Sequence, residues 1–406
     1  MDLTNIEVPN HVPPDLVIDF DLWDYIAEAK TDAYKCAAAL HETMPDIFYA
    51  RKIGYLPGCW VPRRNETLRR IVRDPATFSS REGTPFAAML GENWKLIPLE
   101  IDPPEHGKYR LLLNEFFNSK AVKALEPNMR QTSEALINRV KDQGFCDFNA
   151  DFSSQFPTLV FLRMMGWPEK HVTKFVGWVN TLIKSQDMQV VHGVLVEIVT
   201  YLRSVIDARR TNPEDDLTSY VLSCEIDGRP LSEDEVIGIC FLIFIGGLDT
   251  VTSSFNFHYY HLAKHPELQS QLRKDPDLIP SAVEELLRAH AVTNMRRVVT
   301  RDVEIDGVQM KKGDYVLISL ELANLDAEAF ECPMKVDIMR ADARKHMTFS
   351  TGPHLCIGAL LARRELCIAL ETWLSMVPKF RVENEDKIIV RCGGVFGLEN
   401  LTIAWN

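Results

Sequence analysis

The stretch from Phe349 to Gly358 reads FSTGPHLCIG, and its reading decides the fold. It carries one cysteine, Cys356, with Gly352 before it and Gly358 after it, just ahead of a strongly helical run from Ala359 to Val377. A cysteine at a helix start sits in the positive end of the macrodipole, which favours thiolate over thiol. Flanking glycines let the backbone approach something flat and bulky. For a lone cysteine the ordinary reading is simpler: a small buried hydrophobe at the start of a helix.

Upstream, Ser232-Glu-Asp-Glu235 is a capping box that opens an apolar helix running to about Ala263, before His265-Pro266. At 1.5 Å per residue such a helix is roughly 45 Å long. Apolar residues on several faces make it central rather than surface-lying. Midway it carries Gly246-Gly247-Leu248-Asp249-Thr250. Each glycine inside a helix costs roughly 1 kcal/mol relative to alanine. The pair therefore serves close packing against another helix, or a loosened turn that leaves room for a ligand. Glu285 and Arg288 form an i, i+3 acid–base pair, alone an ordinary surface ion pair. His106 and Arg110 lie one turn apart after Asp102-Pro-Pro-Glu105, with the prolines expected at N1-type positions. Two cationic donors on one face suit a pair of carboxylates, or simply water.

Further helices are expected over Glu66 to Val72, Ala121 to Val140, Phe156 to Met165 and Val194 to Arg210. From Val298 to Leu320 the pattern changes to β-type alternation, with Asp306-Gly307 and Lys312-Gly313-Asp314 as turns. Lys387 to Ala404 carries a second strand set, broken by Gly393-Gly394. There is no βαβ rhythm and no glycine fingerprint after a strand, so a separate dinucleotide domain is not expected. The fold class is mainly α with small antiparallel β-sheets. The 406 residues, 46% of them hydrophobic, can build one large core. No repeat or linker divides them, so a single catalytic domain over 1–406 is expected, with an irregular segment at 1–20.

The formal net charge of -12 does not attract nucleic acid or an anionic membrane. Nine scattered cysteines with no Cys-x-x-Cys pair point to a reducing compartment rather than a disulfide framework. The N-terminus shows neither a basic n-region nor an apolar h-region. The most apolar run, Ile237 to Leu248, is shorter than the ~20 residues that span a bilayer. A cytoplasmic protein is the expectation.

Phe349, Gly352, His354, Cys356 and Gly358 fall on the pattern Phe-x-x-Gly-x-(Arg or His)-x-Cys-x-Gly, and through it the chain resembles the cytochrome P450 family. The likeness runs from about Trp60 to the C-terminus. Within the family, GGLDTV, EELLR, DGVQMKKGD and ECPMKVD resemble the bacterial branch that hydroxylates camphor. The resemblance implies a triangular, mainly helical prism with a long central helix over haem. It implies haem b with Cys356 as the axial iron ligand, in a cradle that includes Phe349, Gly352 and Gly247. His106, Arg110, Arg297 and His354 become partners of the haem propionates, with His354 a pH-dependent substitute for the commoner arginine. Asp249 and Thr250 become the acid–alcohol pair that handles dioxygen and relays protons. Glu285 and Arg288 become a structural brace.

The same likeness places Phe86, Trp94, Leu96, Leu99, Leu242, Ile245, Met295 and Val395 around the substrate. Trp94 stands where the camphor enzyme has a ketone-binding tyrosine, and its indole N–H is still able to donate. Met295 replaces an aspartate and makes the cavity edge more apolar. A small apolar terpenoid or norisoprenoid is the implied substrate class, hydroxylated with molecular oxygen. The chain has no flavin or iron–sulfur motif. Two electrons from NAD(P)H are therefore expected through a ferredoxin reductase and a 2Fe-2S ferredoxin. Arg69, Arg70, Arg73, Lys108, Arg110, Arg344, Lys345 and Arg364 supply an expected basic face around Cys356. Two alternatives stand beside this reading. A peroxide-driven peroxygenase commonly lacks the acid–alcohol pair. A non-catalytic haem or ligand-binding sensor needs neither Thr250 nor a donor face.

Overall fold

The computed structural model describes residues 7–28, 32–54, 56–82, 84–185 and 187–405. The capping box at Ser232 is made in full. The Ser232 hydroxyl accepts from the Glu235 amide at 3.3 Å, and the Glu235 carboxylate accepts from the Ser232 amide at 2.6 Å. Glu235 also pairs with Arg229 at 2.7 Å, which holds its carboxyl down to about 2. From this start one unbroken helix runs Glu233–Lys264, 32 residues long.

This central helix joins two apolar clusters. Its first half, with Val236, Phe241 and Phe244, packs among Phe161, Trp167, Phe175 and Trp178. Its second half, with Phe255, Tyr259 and Leu262, packs among Phe148, Phe152, Phe156 and Trp373. By length and composition the helix is apolar enough to cross a membrane, as is Met188–Thr211, but 67% of its most apolar window is buried inside the fold. Close approach is needed at Gly238, where a Cβ would stand 1.9 Å from the Lys95 carbonyl oxygen. The loop that carries Trp94 therefore crosses directly over the helix backbone. Gly238→Ala should force the two apart and cost about 1–3 kcal/mol or more, read as a lowered midpoint in denaturant unfolding.

The other expected helices occur at Asn65–Arg73, Glu105–Phe117, Ser119–Val140, Gln155–Met165, Met188–Thr211 and Ala359–Met376. Pro104 is the cap residue of its helix and stands one position outside it, not at N1. The helix over Val194 to Arg210 starts earlier than expected because Asp187 caps it, accepting from the Gln189 amide at 2.9 Å. The sequence pattern left Leu22–Ala27, Ala33–Thr43, Leu217–Ser223 and Pro266–Lys274 unassigned, and all four are short.

The largest sheet orders its strands Val17–Ile18, Ile47–Ala50, Cys59–Pro62, Tyr315–Ser319, Asn294–Val299 and Phe78–Ser79. The first pair and the third pair of neighbours are parallel, and the rest are antiparallel. The segment 1–20 is thus not wholly irregular. Pro14–Leu16 is a 3-10 turn and Val17 pairs with Tyr49, while residues 1–6 lie outside the described residues. The Asp306-Gly307 turn is present between Val303–Ile305 and Val308–Met310, with φ of 48° and 83°. Near the C-terminus, Ile389–Arg391 pairs with Gly397–Glu399 in a hairpin that packs on the central helix.

Candidate active site

The Cys356 loop is fixed by its backbone. Gly352–His354 forms a 3-10 turn, and the Cys356 amide donates to the Phe349 carbonyl at 2.9 Å. Gly352 has φ +72°, and a Cβ there would stand 3.1 Å from the Val72 carbonyl. Its positive φ and this close approach to the 65–73 helix both favour glycine. Phe349 lies over the Arg363 guanidinium at 4.4 Å. The Cys356 side chain opens into a hollow of about 550 Å³ that Arg69, Arg110, Arg344, Lys345 and Leu360 also line.

Cys356 is exposed to this hollow, yet desolvation by the protein on its other sides raises the thiol pKa. The Gly358 amide, Arg110 and Arg363 all act to lower it, as the helix-start argument requires, but burial outweighs them. A metal cation at sulfur reverses that balance, because it binds only the deprotonated form.

Above the loop, four predicted residues converge. Arg297 is 3% exposed; Nη1 donates to the Arg296 carbonyl at 2.9 Å, and Nη2 is buried without a hydrogen-bond partner. Burial pushes its pKa down to about 10. The His106 and His354 rings lie 4.3 Å apart. Burial first, then Arg297, His106 and Arg110, push His354 down to about 3. Burial and Arg110 also lower His106. Arg110 Nη1 donates to the Leu355 carbonyl at 2.5 Å, tying its helix to the cysteine loop.

This donor set fits a haem. A buried guanidinium N–H left unpaired costs about 1–3 kcal/mol, which a carboxylate would recover. An anion here would also favour the charged forms of both histidines. Two contributors escaped the sequence reading. Ser80 Oγ lies 3.2 Å from His354 Nε2. Asp102 accepts from the Ser79 hydroxyl at 2.5 Å and the Ser80 amide at 2.9 Å, and so fixes both serines. An acid standing just before Pro103-Pro104 and a helix was the available signal for Asp102.

On the central helix, Gly246 and Gly247 are exposed although buried residues flank them. A Cβ on Gly247 would meet nothing within 4 Å, and on Gly246 only Leu242 at 3.9 Å. Close packing is therefore not their reason; they leave space. The helix stays α-helical through them, so the loosened turn is not realised as a break. The Thr250 hydroxyl donates to the Gly246 carbonyl at 2.9 Å, which leaves its lone pairs free to accept. Asp249 is 7% exposed, and Oδ2 has no hydrogen-bond partner. Burial raises its carboxyl to about 6, against the lowering effects of Arg391 and Lys184. Ile357 and Leu361, just beyond Cys356, border the same apolar cluster as Leu242 and Ile245.

Glu285 and Arg288 are not a surface pair. Both side chains are fully buried and meet bidentately at 2.8 and 2.9 Å. Arg288 also donates to the Asn324, Pro333 and Lys335 carbonyls, while Glu285 accepts from the Asp337 amide and Arg340. The pair holds the irregular 324–340 segment against the helix Ile279–Ala289.

The expected pocket residues divide. Phe86, Leu99, Leu242 and Ile245 border one apolar cluster and are partly open, whereas Met295 and Val395 border two others. Leu96 is 1% exposed and belongs to the packed interior rather than to an open wall. The expected donor at Trp94 is spent: its indole N–H donates to Glu92 at 2.6 Å, and Arg203 pairs with Glu92 at 3.0 Å. The ring packs on Phe241, 5.0 Å between centroids.

The basic face is also smaller than expected. Arg69, Arg110, Arg344 and Lys345 line the cysteine hollow. Arg70 pairs instead with Asp306, Lys108 with Asp227 and Arg364 with Glu126, while Arg73 donates to Thr351 on the wall of that hollow.

Comparison with known proteins identifies the family. The family model described as Cytochrome P450 matches residues 168–391. The chain is 39% identical to "Probable cytochrome P450 127A1" of Sinorhizobium fredii, over 98% of this chain and 97% of that protein. It is 32% identical to a "Steroid C26-monooxygenase" of Mycobacterium tuberculosis, over 82% and 91% of the two. Among solved structures, CYP101C1 superposes with a TM-score of 0.89 and CYP101J2 with 0.87. Each is 31% identical, and each match covers 98% of this chain and 100% of the other. The chain belongs to the cytochrome P450 family and is a haem-thiolate monooxygenase, with haem b on a cysteine as its cofactor.

Proposed function

We propose that this enzyme hydroxylates a small apolar molecule of terpenoid or norisoprenoid size, with Cys356 as the iron ligand. The observation that carries the site assignment is the unpaired, buried Arg297 Nη2 beside His106 and His354. Haem bound to a cysteine thiolate supplies dioxygen activation and insertion of one oxygen atom. The chain's residues do the rest. Arg297, Arg110, His106 and His354 would hold the two haem carboxylates. Thr250, its hydroxyl proton committed to Gly246, can accept a hydrogen bond from a donor that enters the space Gly246 and Gly247 leave open. Asp249, nearly buried and with a carboxyl near 6, exchanges protons between solvent and that space.

Partly open Phe86, Leu99, Leu242 and Ile245 support an apolar substrate. With the Trp94 N–H held by Glu92, that position offers no anchor to a ketone. Electrons from NAD(P)H would arrive through a reductase and a 2Fe-2S ferredoxin, docking where Arg69, Arg110, Arg344 and Lys345 surround exposed Leu355 and Leu360. Opposite charges steer such an encounter, and the leucines supply its dry centre. We place the enzyme in the cytoplasm, as one catalytic domain over 1–406.

Thr250→Ala should leave consumption of reductant largely intact while hydroxylated product falls several-fold and peroxide rises. Measuring all three with ferredoxin and reductase, and again with peroxide alone, tests the relay. Unchanged coupling in Thr250→Ala counts against it, and turnover on peroxide alone that matches the ferredoxin system favours the peroxygenase.

A further inference from the structure

The buried carboxyl of Asp249 faces a residue contributed by the C-terminal hairpin, far away in sequence. Arg391 ends the strand Ile389–Arg391, and its Nη2 lies 3.9 Å from Asp249 Oδ2. The same guanidinium donates from Nη1 to the Val395 carbonyl at 3.0 Å and from Nε to Glu399 at 3.3 Å. Glu399 also pairs with Lys184, at the end of the helix Val172–Lys184, at 3.3 Å. Space for the guanidinium exists because position 397 is glycine; a Cβ there would stand 2.6 Å from Arg391 Nη2.

We propose that Arg391 is a positioning residue for the proton relay: it holds the Asp249 carboxylate in place and ties it to the hairpin that carries Val395, which the family likeness places beside the substrate. This role rests on the reading of Asp249 as the relay acid. At 3.9 Å the guanidinium attracts Oδ2 without a hydrogen bond to it, so the oxygen stays free to take and release a proton. Two other contacts fix the guanidinium plane, so its attraction for Asp249 has one direction. A substrate that presses on Val395 moves the acceptor to which Arg391 Nη1 is bonded, and with it the charge facing Asp249.

The charged groups that face Asp249 are Arg391 from the hairpin, Lys184 from the 172–184 helix and Glu399 from the strand Gly397–Glu399. Burial and Glu399 raise the carboxyl pKa, whereas Arg391 and Lys184 lower it. Neutralising Arg391 removes a lowering charge, so Asp249 then holds its proton to higher pH. An opposite charge at this range lowers a carboxyl by about 1–3 pH units. Lys184 remains in Arg391→Gln, so a rise of about one pH unit is expected.

The test uses holoenzyme and two readouts. Carboxyl-carbon NMR of aspartate-labelled protein, with Asp249→Asn to assign the signal, gives the Asp249 midpoint directly. The pH dependence of product formed per reductant consumed gives its use. Arg391→Gln should raise the midpoint and shift the coupling profile to higher pH. Arg391→Lys, which keeps the charge but cannot bridge both acceptors, should restore most of the midpoint and only part of the coupling. An unmoved midpoint in Arg391→Gln overturns the role of Arg391 and leaves the relay standing. Full coupling in Asp249→Asn overturns the relay reading itself, wherever the Arg391→Gln midpoint lies.

Discussion

Glu285→Ala should lower the unfolding free energy by about 3–5 kcal/mol, because it leaves a fully buried guanidinium without its counter-charge. Arg288 would keep its three carbonyl acceptors but lose both charge-assisted bonds, and the Asp337 amide and Arg340 would lose an acceptor as well. A loss this large is a sizeable share of the stability of a typical globular protein. Arg288→Lys should also fail, since an ammonium cannot pair bidentately while reaching Asn324 and Pro333. Denaturant unfolding of the holoprotein, with haem release followed in parallel, measures both. A change under about 1 kcal/mol in Glu285→Ala, the size expected for an exposed pair, would show that the brace is not a brace.

Cys356→Ser should have the largest effect on activity. Serine keeps the size and the backbone bond to Phe349, so the loop should persist. What is lost is the sulfur, whose thiolate form donates electron density to iron. Turnover should fall by more than the roughly 10–100-fold typical of losing an outer-shell partner. Haem should still be taken up, because Arg297, Arg110, His106 and His354 remain. Pyridine-extracted haem per protein against product formation separates the two quantities. Retained turnover in Cys356→Ser would remove Cys356 from the ligand role.

Much of this site was legible in the sequence, for a physical reason. The cysteine loop, the Gly246–Thr250 turn, the Glu285–Arg288 pair and His106 with Arg110 each lie within a few residues of one another. Local backbone geometry, a helical turn or a tight loop, fixes their relations. The capping box at Ser232 is local in the same way, and it appears in full. The missed features pair residues from distant segments. Arg391 meets Asp249, Ser80 meets His354, and Arg203 holds the Glu92 that takes the Trp94 N–H. No pattern within either segment announces those meetings. Nor can a sequence alone show that three cations of an expected basic face are engaged by carboxylates, here those of Asp306, Asp227 and Glu126.

Glycine illustrates the same divide. Gly246 and Gly247 stand out in the sequence because a helix interior disfavours them, and they prove to leave open space. Gly238 sits in the same helix and draws no notice, although only it lies within 2 Å of a crossing carbonyl once a Cβ is added. The cost of a glycine is visible from the chain; which neighbour requires it is not. The thiol of Cys356 makes a related point. The helix start and nearby arginines act in the expected direction, but desolvation at the hollow's wall opposes them, although Cys356 itself is exposed there.

The central claim is a cysteine thiolate on haem iron, with Cys356 as the cysteine. The absorption spectrum of the dithionite-reduced protein under carbon monoxide tests it most directly, with Cys356→Ser measured alongside. The parent protein should show the strongly red-shifted Soret band of a thiolate-bound complex, and Cys356→Ser should lose it with haem still present. A Soret band at the shorter wavelength of a neutral axial ligand in the freshly prepared parent protein, or a red-shifted band that survives in Cys356→Ser, would contradict it.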